Sequence, residues 1–419
     1  MGSIISLGIC KMEIDWGKNN TFANNYSNLF QVQDFDKKIP YYYIDDNDKE
    51  IIEYKEGARK NLSKVKQRLE LLGYTLKNIE KMYNDSIMEF ETYVDEKINL
   101  EFKEFFELIK NLEVSKVNNV ESIIEYYDNG FELGEYFNRC ILKDEEFYSK
   151  IELILKNVKK QIFLIGEFFE NLDPYIILRI LAENHNNLEY DVEWRYTDVI
   201  ENGWIKKEEI IGPLENKYKI LIVTEGKSDS FIIQKTINNL YPDISDFFEF
   251  IDMKENYPFT GTGNLSNFCL GLSKINIQNN VIILFDNDTS GLELYNKVKD
   301  IVKPDNLYVC HLPEYEEFNE INTIGPSGKV KCNINGKAVA IECFLDFSSI
   351  DSVPIIRWNN YNKNMKQYQG ELENKEEYVR KFKSANLLDG SYNCEKLKFL
   401  IGHLISMWKK YELNNLGKK

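Results

Sequence analysis

Two short apolar runs constrain this chain more than anything else in it: ILIV at residues 220–223 and VIILF at residues 281–285. Each runs straight into carboxylates, Glu225 after the first, Asp286 and Asp288 after the second. A run of strand length with no polar alternation suits a strand buried on both faces, as in a parallel sheet. The C-terminal ends of such strands share one edge, where α/β proteins place their ligands. The three acids are therefore expected to meet. Close carboxylates repel one another unless a cation sits among them, and Mg²⁺ takes oxygen ligands, with one or two carboxylates completed by water and substrate phosphate. A metal site is the reading these residues support.

At 419 residues the chain exceeds one ordinary domain, and two or three are expected. With 43% hydrophobic and 13% aromatic residues it can build real cores. No apolar run reaches the ~18–20 residues of a membrane span, and no secretory signal stands out at the start. Gly2 and Ser6 fit the loose myristoylation pattern, but Ile5, Leu7 and Ile9 alternate as a half-buried strand does. The seven cysteines include no C-x-x-C pair, which argues against a zinc ribbon and for reduced thiols in a cytoplasmic setting. A formal charge of -16 opposes nucleic acid at long range, so any such contact must be local and metal-assisted. Residues 357–383 and the tail with Lys396, Lys398, Lys409 and Lys410 are the basic exceptions, and a solvated mixed-charge surface accounts for them equally well.

Residues 1–205 read as an α+β, mostly helical N-terminal module. Its first 45 or so residues look like short strands. The apolar phase shifts at Cys10 and Lys11, which calls for a bulge or turn there, and residues 30–44 give a further strand. From Lys49 to about Asn171 the pattern is helical: Leu62, Val65, Leu69 and Leu72 stop at Gly73, residues 123–127 and 151–169 add helices, and Asp173-Pro174 opens another. A strand begins near Tyr190.

Residues 216–347 then run strand, helix, strand, helix, strand, helix, strand, which describes a doubly wound, Rossmann-like, mainly parallel sheet. Asn335-Gly336 predicts a hairpin over residues 330–341, leading into Glu342. Residues 348–419 read as a small helical C-terminal extension whose last helix carries Leu397, Leu400, Ile401, Leu404, Ile405 and Trp408 on one face. That face packs on the protein itself or, as the second option, on another copy in a homo-oligomer. Lys227 could meet a phosphate or simply be solvated. Gly261 and Gly263, before a helix start, could offer N–H groups to a phosphate or form a plain loop.

VTEGKSD with FDND resembles the Toprim domain of topoisomerases, primases and nucleases, over about residues 216–347. The resemblance implies that Glu225 is the acid after the first strand and that Asp286 and Asp288 are the D-x-D pair. Asp229 stands where nucleases of the overcoming-lysogenization-defect type carry a second acid, and Glu342 matches a later one. Metal ligands would then be Glu225, Asp229, Asp286, Asp288 and Glu342, with Mg²⁺ or Mn²⁺ as cofactor and phosphodiester cleavage in DNA or RNA, tRNA included, as the reaction. Gly226-Lys227-Ser228 resembles the end of a P-loop, but Leu221 occupies the first glycine position, so an ATPase would be a separate partner protein.

The chain as a whole is similar to bacterial proteins described as HEPN/Toprim N-terminal domain proteins, which are associated with defence against phage. Arg179 followed by His185 also resembles the pair of HEPN ribonucleases, although a surface arginine and a helix-end histidine account for the same residues. Three functions are thus carried forward: a metal-dependent endonuclease in anti-phage defence, a non-cleaving module that binds nucleic acid or a partner, and a metal-independent RNase using Arg179 and His185.

Overall fold

The structure, a computed structural model, describes residues 3–18, 25–44, 50–117, 149, 158–251, 262–275, 277–301, 306–326 and 328–416. Gly2, Gly261 and the helix expected at residues 123–127 lie outside these. The chain divides into two compact units, Met1–Glu215 and Asn216–Lys419.

The first unit is built on a five-stranded antiparallel sheet in the order β2-β1-β5-β4-β3. Strands β1 (Ile4–Ile9) and β2 (Met12–Lys18) are joined at Cys10 and Lys11 with Ile9 opposite Met12, so the phase shift in the sequence is a tight turn. Strand β3 is Lys37–Ile44, β4 Glu50–Asn61 and β5 Asp191–Arg195. The helical pattern expected from Lys49 onward fails over β4. Ile51, Ile52 and Tyr54 are exposed, so they mark no helix face, and eight residues of β3 pair with this segment in unbroken register. That ladder overrides local propensity.

The helix Leu62–Leu71 follows, with Asn61 accepting from the Ser63 N–H at 3.1 Å and Gly73 left-handed at φ +96° just past its end. Every residue of the helix Pro174–Leu181 is buried.

The second unit begins with the alternation the sequence calls for. Strands β6 (Ile220–Thr224), β7 (Phe248–Phe250), β8 (Asn280–Phe285) and β10 (Leu307–His311) form a parallel sheet ordered β10-β8-β6-β7. The helices Lys227–Leu240, Thr262–Ile275 and Thr289–Val298 make the crossovers. Val281, Ile283 and Phe285 pack with Leu265, Leu272 and Val298, while Ile282 and Leu284 are buried too. Both faces of β8 are covered, which is why it is apolar throughout.

The two-residue β9 (Asn287–Asp288) pairs with β13 (Ala338–Val339). A second sheet, ordered β12-β11-β14-β15, holds β11 (Ile321–Gly325), β12 (Gly328–Cys332), β14 (Ile355–Asn362) and β15 (Gln367–Leu372).

Two expectations are corrected here. Residues 330–341 are no hairpin: Gly336 turns the chain at φ +75°, but β12 pairs with β11 and β13 with β9. Nor is the C-terminal region purely helical, since β14 and β15 precede the helices Lys375–Ser384 and Glu395–Leu416. The polar hairpin of β14 and β15 is held by parallel pairing of β14 with β11, a contact its own sequence does not advertise. The apolar face of the last helix is buried within this unit, with Leu397, Leu400, Ile401 and Trp408 each 1% exposed or less.

Candidate metal centre

Parallel pairing of β6 with β8 sets Thr224 opposite Leu284, so the residues just beyond both strands emerge side by side. The consequence is direct: the Asp286 N–H donates to Glu225 Oε1 at 3.1 Å. Beyond Glu225 the chain turns into the helix Lys227–Leu240. Asp229, in its first turn, reaches back to accept the Gly226 N–H at 2.9 Å, and Ser228 Oγ donates to its other oxygen at 3.1 Å. Thr224 Oγ1, buried under this turn, donates to the Gly226 carbonyl at 3.0 Å.

Asp288 caps the next helix, accepting from the Gly291 N–H at 2.7 Å. Its second oxygen accepts from the side-chain amide of Gln369, whose own carbonyl accepts from the Ser290 N–H at 3.0 Å. Gly291 is required here, because a methyl group at that position would run into the Asp286 backbone. Glu342 sits in the short 3-10 turn Ile341–Phe344 and is 8% exposed.

The charges of this group converge on Asp286 and Asp229. Asp286 is pushed well above the usual carboxylate range, first by burial and then by Glu225, Asp229, Asp288 and Glu342. Asp229 is pushed up to about 7 by burial, with Glu342 and Glu225 adding to it. Burial raises Asp288 against the opposing hydrogen bonds from Gly291 and Gln369, and raises Glu342 against the charge of Lys375. The positions expected from the sequence as metal ligands are thus brought into one electrostatic cluster.

Among the described residues no group of three His, Cys, Asp or Glu side chains is arranged to hold a metal ion as it stands. The hydrogen bonds explain this: Glu225, Asp229 and Asp288 are each turned onto a backbone N–H. The donor set nevertheless fits a hard divalent cation, because every candidate ligand is an oxygen and the buried mutual repulsion is what a cation would relieve.

The remaining candidates fall elsewhere. Lys227 is exposed at the start of its helix, and Gly263 is exposed in the first turn of the helix Thr262–Ile275. Arg179 is 3% exposed and ion-paired to Glu70 at 2.9 Å and Glu183 at 2.5 Å, whereas His185 is exposed in a separate 3-10 turn. The helix carrying Arg179 ends at Leu181, so the two residues do not share a helix face.

Gln369 and Lys375 were not legible as site residues. Lys375, bonded to Glu371, also feels Glu342 and Asp286. Both come from the C-terminal segment, whose only sequence signal is its local basic excess.

A family model described as HEPN/Toprim N-terminal domain 1 matches residues 1–217. No curated protein and no solved structure matches the chain. Among the described residues no helix is long and apolar enough to cross a membrane.

Proposed function

The chain belongs to the HEPN/Toprim N-terminal domain 1 family, and from that premise we propose that its second unit is a divalent-metal-dependent endonuclease acting as an effector of anti-phage defence in the bacterial cytoplasm. One observation carries the proposal: beyond the ends of two adjacent parallel strands, Asp286 is buried where Glu225, Asp229, Asp288 and Glu342 all raise its proton affinity, and Glu342 and Glu225 do the same to Asp229. Buried, strongly perturbed carboxylates in such a crevice are the mark of a working site.

Glu225, Asp286 and Asp288 are the residues that would hold Mg²⁺ or Mn²⁺, with Asp229 and Glu342 as supporting ligands. A bound ion would supply charge stabilisation to a phosphodiester and acidify a nearby water. The chain's own groups do the rest. Asp286, whose charge all four of the others disfavour, would hold its proton until the local charge is balanced. Gln369 keeps Asp288 oriented, and the Gly226 and Gly291 N–H groups hold Asp229 and Asp288 in their turns. Lys227, exposed two residues beyond Glu225, would meet substrate phosphate. The net charge of -16 weakens encounter with polyanions, so release of activity by a partner protein or by self-assembly is part of the proposal.

The second reading, a Toprim-like module that binds without cutting, draws support from the side chains being turned onto backbone N–H groups rather than onto a shared point. Cleavage of DNA and RNA by the purified full chain in Mg²⁺, in EDTA, and after joint Asp286→Asn and Asp288→Asn substitution separates the two. Cleavage that needs Mg²⁺ and disappears in the double variant supports the endonuclease. Cleavage retained by the double variant refutes the site, and binding with no product under any condition favours the second reading. The metal-independent RNase has less support, since the Arg179 guanidinium is engaged with two carboxylates.

A further inference from the structure

We propose that the face of the second sheet that carries Tyr368 is a binding groove for single-stranded nucleic acid, with Trp358, Tyr361 and Tyr368 stacking on bases and Lys337 and Lys366 meeting phosphates. The inference builds on the reading of the acid cluster as a nuclease centre and names the form in which its substrate arrives.

These five residues and Val330 line a cavity of about 430 Å³. Tyr361 and Tyr368 face each other across β14 and β15, with ring centroids 5.1 Å apart in an edge arrangement. They are 52% and 45% exposed, and Val330 beside them is 45% exposed. Aromatic rings that open to solvent serve no core. Trp358 lies against Gly325 and Gly370, where any side chain would strike its ring, so the two glycines give the indole its bed.

The charge is complementary to a polyanion. Among the described residues neither Lys337 nor Lys366 is ion-paired to a carboxylate; Lys337 Nζ donates to the Asn333 carbonyl at 3.4 Å. In a chain of net charge -16, two unneutralised lysines beside three aromatics are a local reversal. Exposed π-faces with adjacent cations are how proteins hold unpaired strands without reading sequence. A duplex keeps its base faces stacked on one another, and so cannot use the rings.

The groove borders the acids through two adjacent backbone positions. Thr289 Oγ1 donates to the carbonyl of Tyr368 at 3.0 Å, and that of Lys337 lies 3.4 Å away. The next residues along, Gln369 and Ala338, are those that bond to or pair with Asp288. Tyr368 and Gln369 alternate across β15, so the rings and the Asp288 contact lie on opposite faces of that strand, and a nucleic-acid strand held on the rings would reach the carboxylates by passing the edge of β15.

Fluorescence anisotropy of a labelled oligothymidylate with the full chain in EDTA tests this apart from cleavage. The wild type should bind it, and bind a duplex of equal length more weakly. Joint Tyr361→Ala and Tyr368→Ala substitution should weaken binding roughly tenfold or more, and joint substitution to Phe, which keeps the rings, should restore it. Joint Lys337→Gln and Lys366→Gln should lower the slope of log affinity against log salt by about 1.4. Undiminished binding by the Ala pair, failure of the Phe pair to bind better than the Ala pair, a preference for duplex, or no binding by the wild type overturns the proposal. Binding that behaves as expected in a protein that cuts nothing would refute the nuclease and leave the groove.

Discussion

Asp229→Asn tests the electrostatic account of the centre without assuming a substrate. Burial, then Glu342 and Glu225, push the Asp229 carboxyl from 3.8 to about 7. At ~1.4 kcal/mol for each tenfold change in proton affinity, that rise corresponds to about 4 kcal/mol. The folded protein keeps this proton over a range in which the unfolded chain has lost it. The associated stability is therefore fully present below pH 3.8 and lost as the pH rises through about 7. Because the proton is shared with neighbouring acids, about half of that, ~2 kcal/mol, is the gain expected from removing one charge.

Asparagine retains an acceptor for the Gly226 N–H at 2.9 Å while carrying no charge. In EDTA at pH about 8 the variant should melt roughly 4–8 °C above the parent, and the gap should close toward pH about 4, where the parent carboxyl is protonated. Added Mg²⁺ should raise the parent more than the variant, since a cation that binds only the folded state stabilises it. Differential scanning fluorimetry of the full chain reads all three. A variant no more stable than the parent in EDTA at the higher pH would refute the claim that these acids strain one another.

Gln369→Ala removes the side-chain bond to Asp288 and should lower Mg²⁺-dependent cleavage about 10- to 100-fold while leaving the melting temperature nearly unchanged. Lys396 is 8% exposed and pushed down to about 8 by burial, so stability rises as the pH climbs from about 8 to 10.5. The cost below that range is about 3 kcal/mol, of which the Phe347 ring, 3.3 Å from the ammonium, offsets about 2. Lys396→Met should thus gain ~1 kcal/mol at neutral pH in urea unfolding and flatten the alkaline rise; equal destabilisation at both pH values would count against this. Arg179→Ala strips the cation from Glu70 and Glu183 and should cost about 3 kcal/mol. His185→Ala should leave both stability and Mg²⁺-dependent cleavage as they were, and a loss of EDTA-resistant cleavage on that change would revive the RNase.

What was legible in the sequence is what local physics decides. The runs at 220–223 and 281–285 announce β6 and β8 because strands covered on both faces cannot afford polar alternation, and their acids announce the edge because they follow the strands directly. Strand β4 was illegible for the converse reason. Its exposed Ile51, Ile52 and Tyr54 blur the alternation, and the structure there is decided by β3, whose pairing no local pattern encodes. The same holds for β13, two residues long and defined only by its partner β9.

The centre divides along this line as well. Its charged members could be read because each lies at the end of a strand or in the first turn of a helix. Gln369 could not, since it reaches Asp288 from 81 residues away and a glutamine in a polar hairpin looks like any other. The asymmetry has a physical root. Gln369 satisfies a hydrogen bond and is compatible with a purely structural role. Asp286, by contrast, lies among four other acids that all disfavour its charge, an arrangement that lowers the stability of the metal-free protein. Folding gives no reason to collect those charges, and relief of their repulsion by a bound cation is the reason the proposed function supplies.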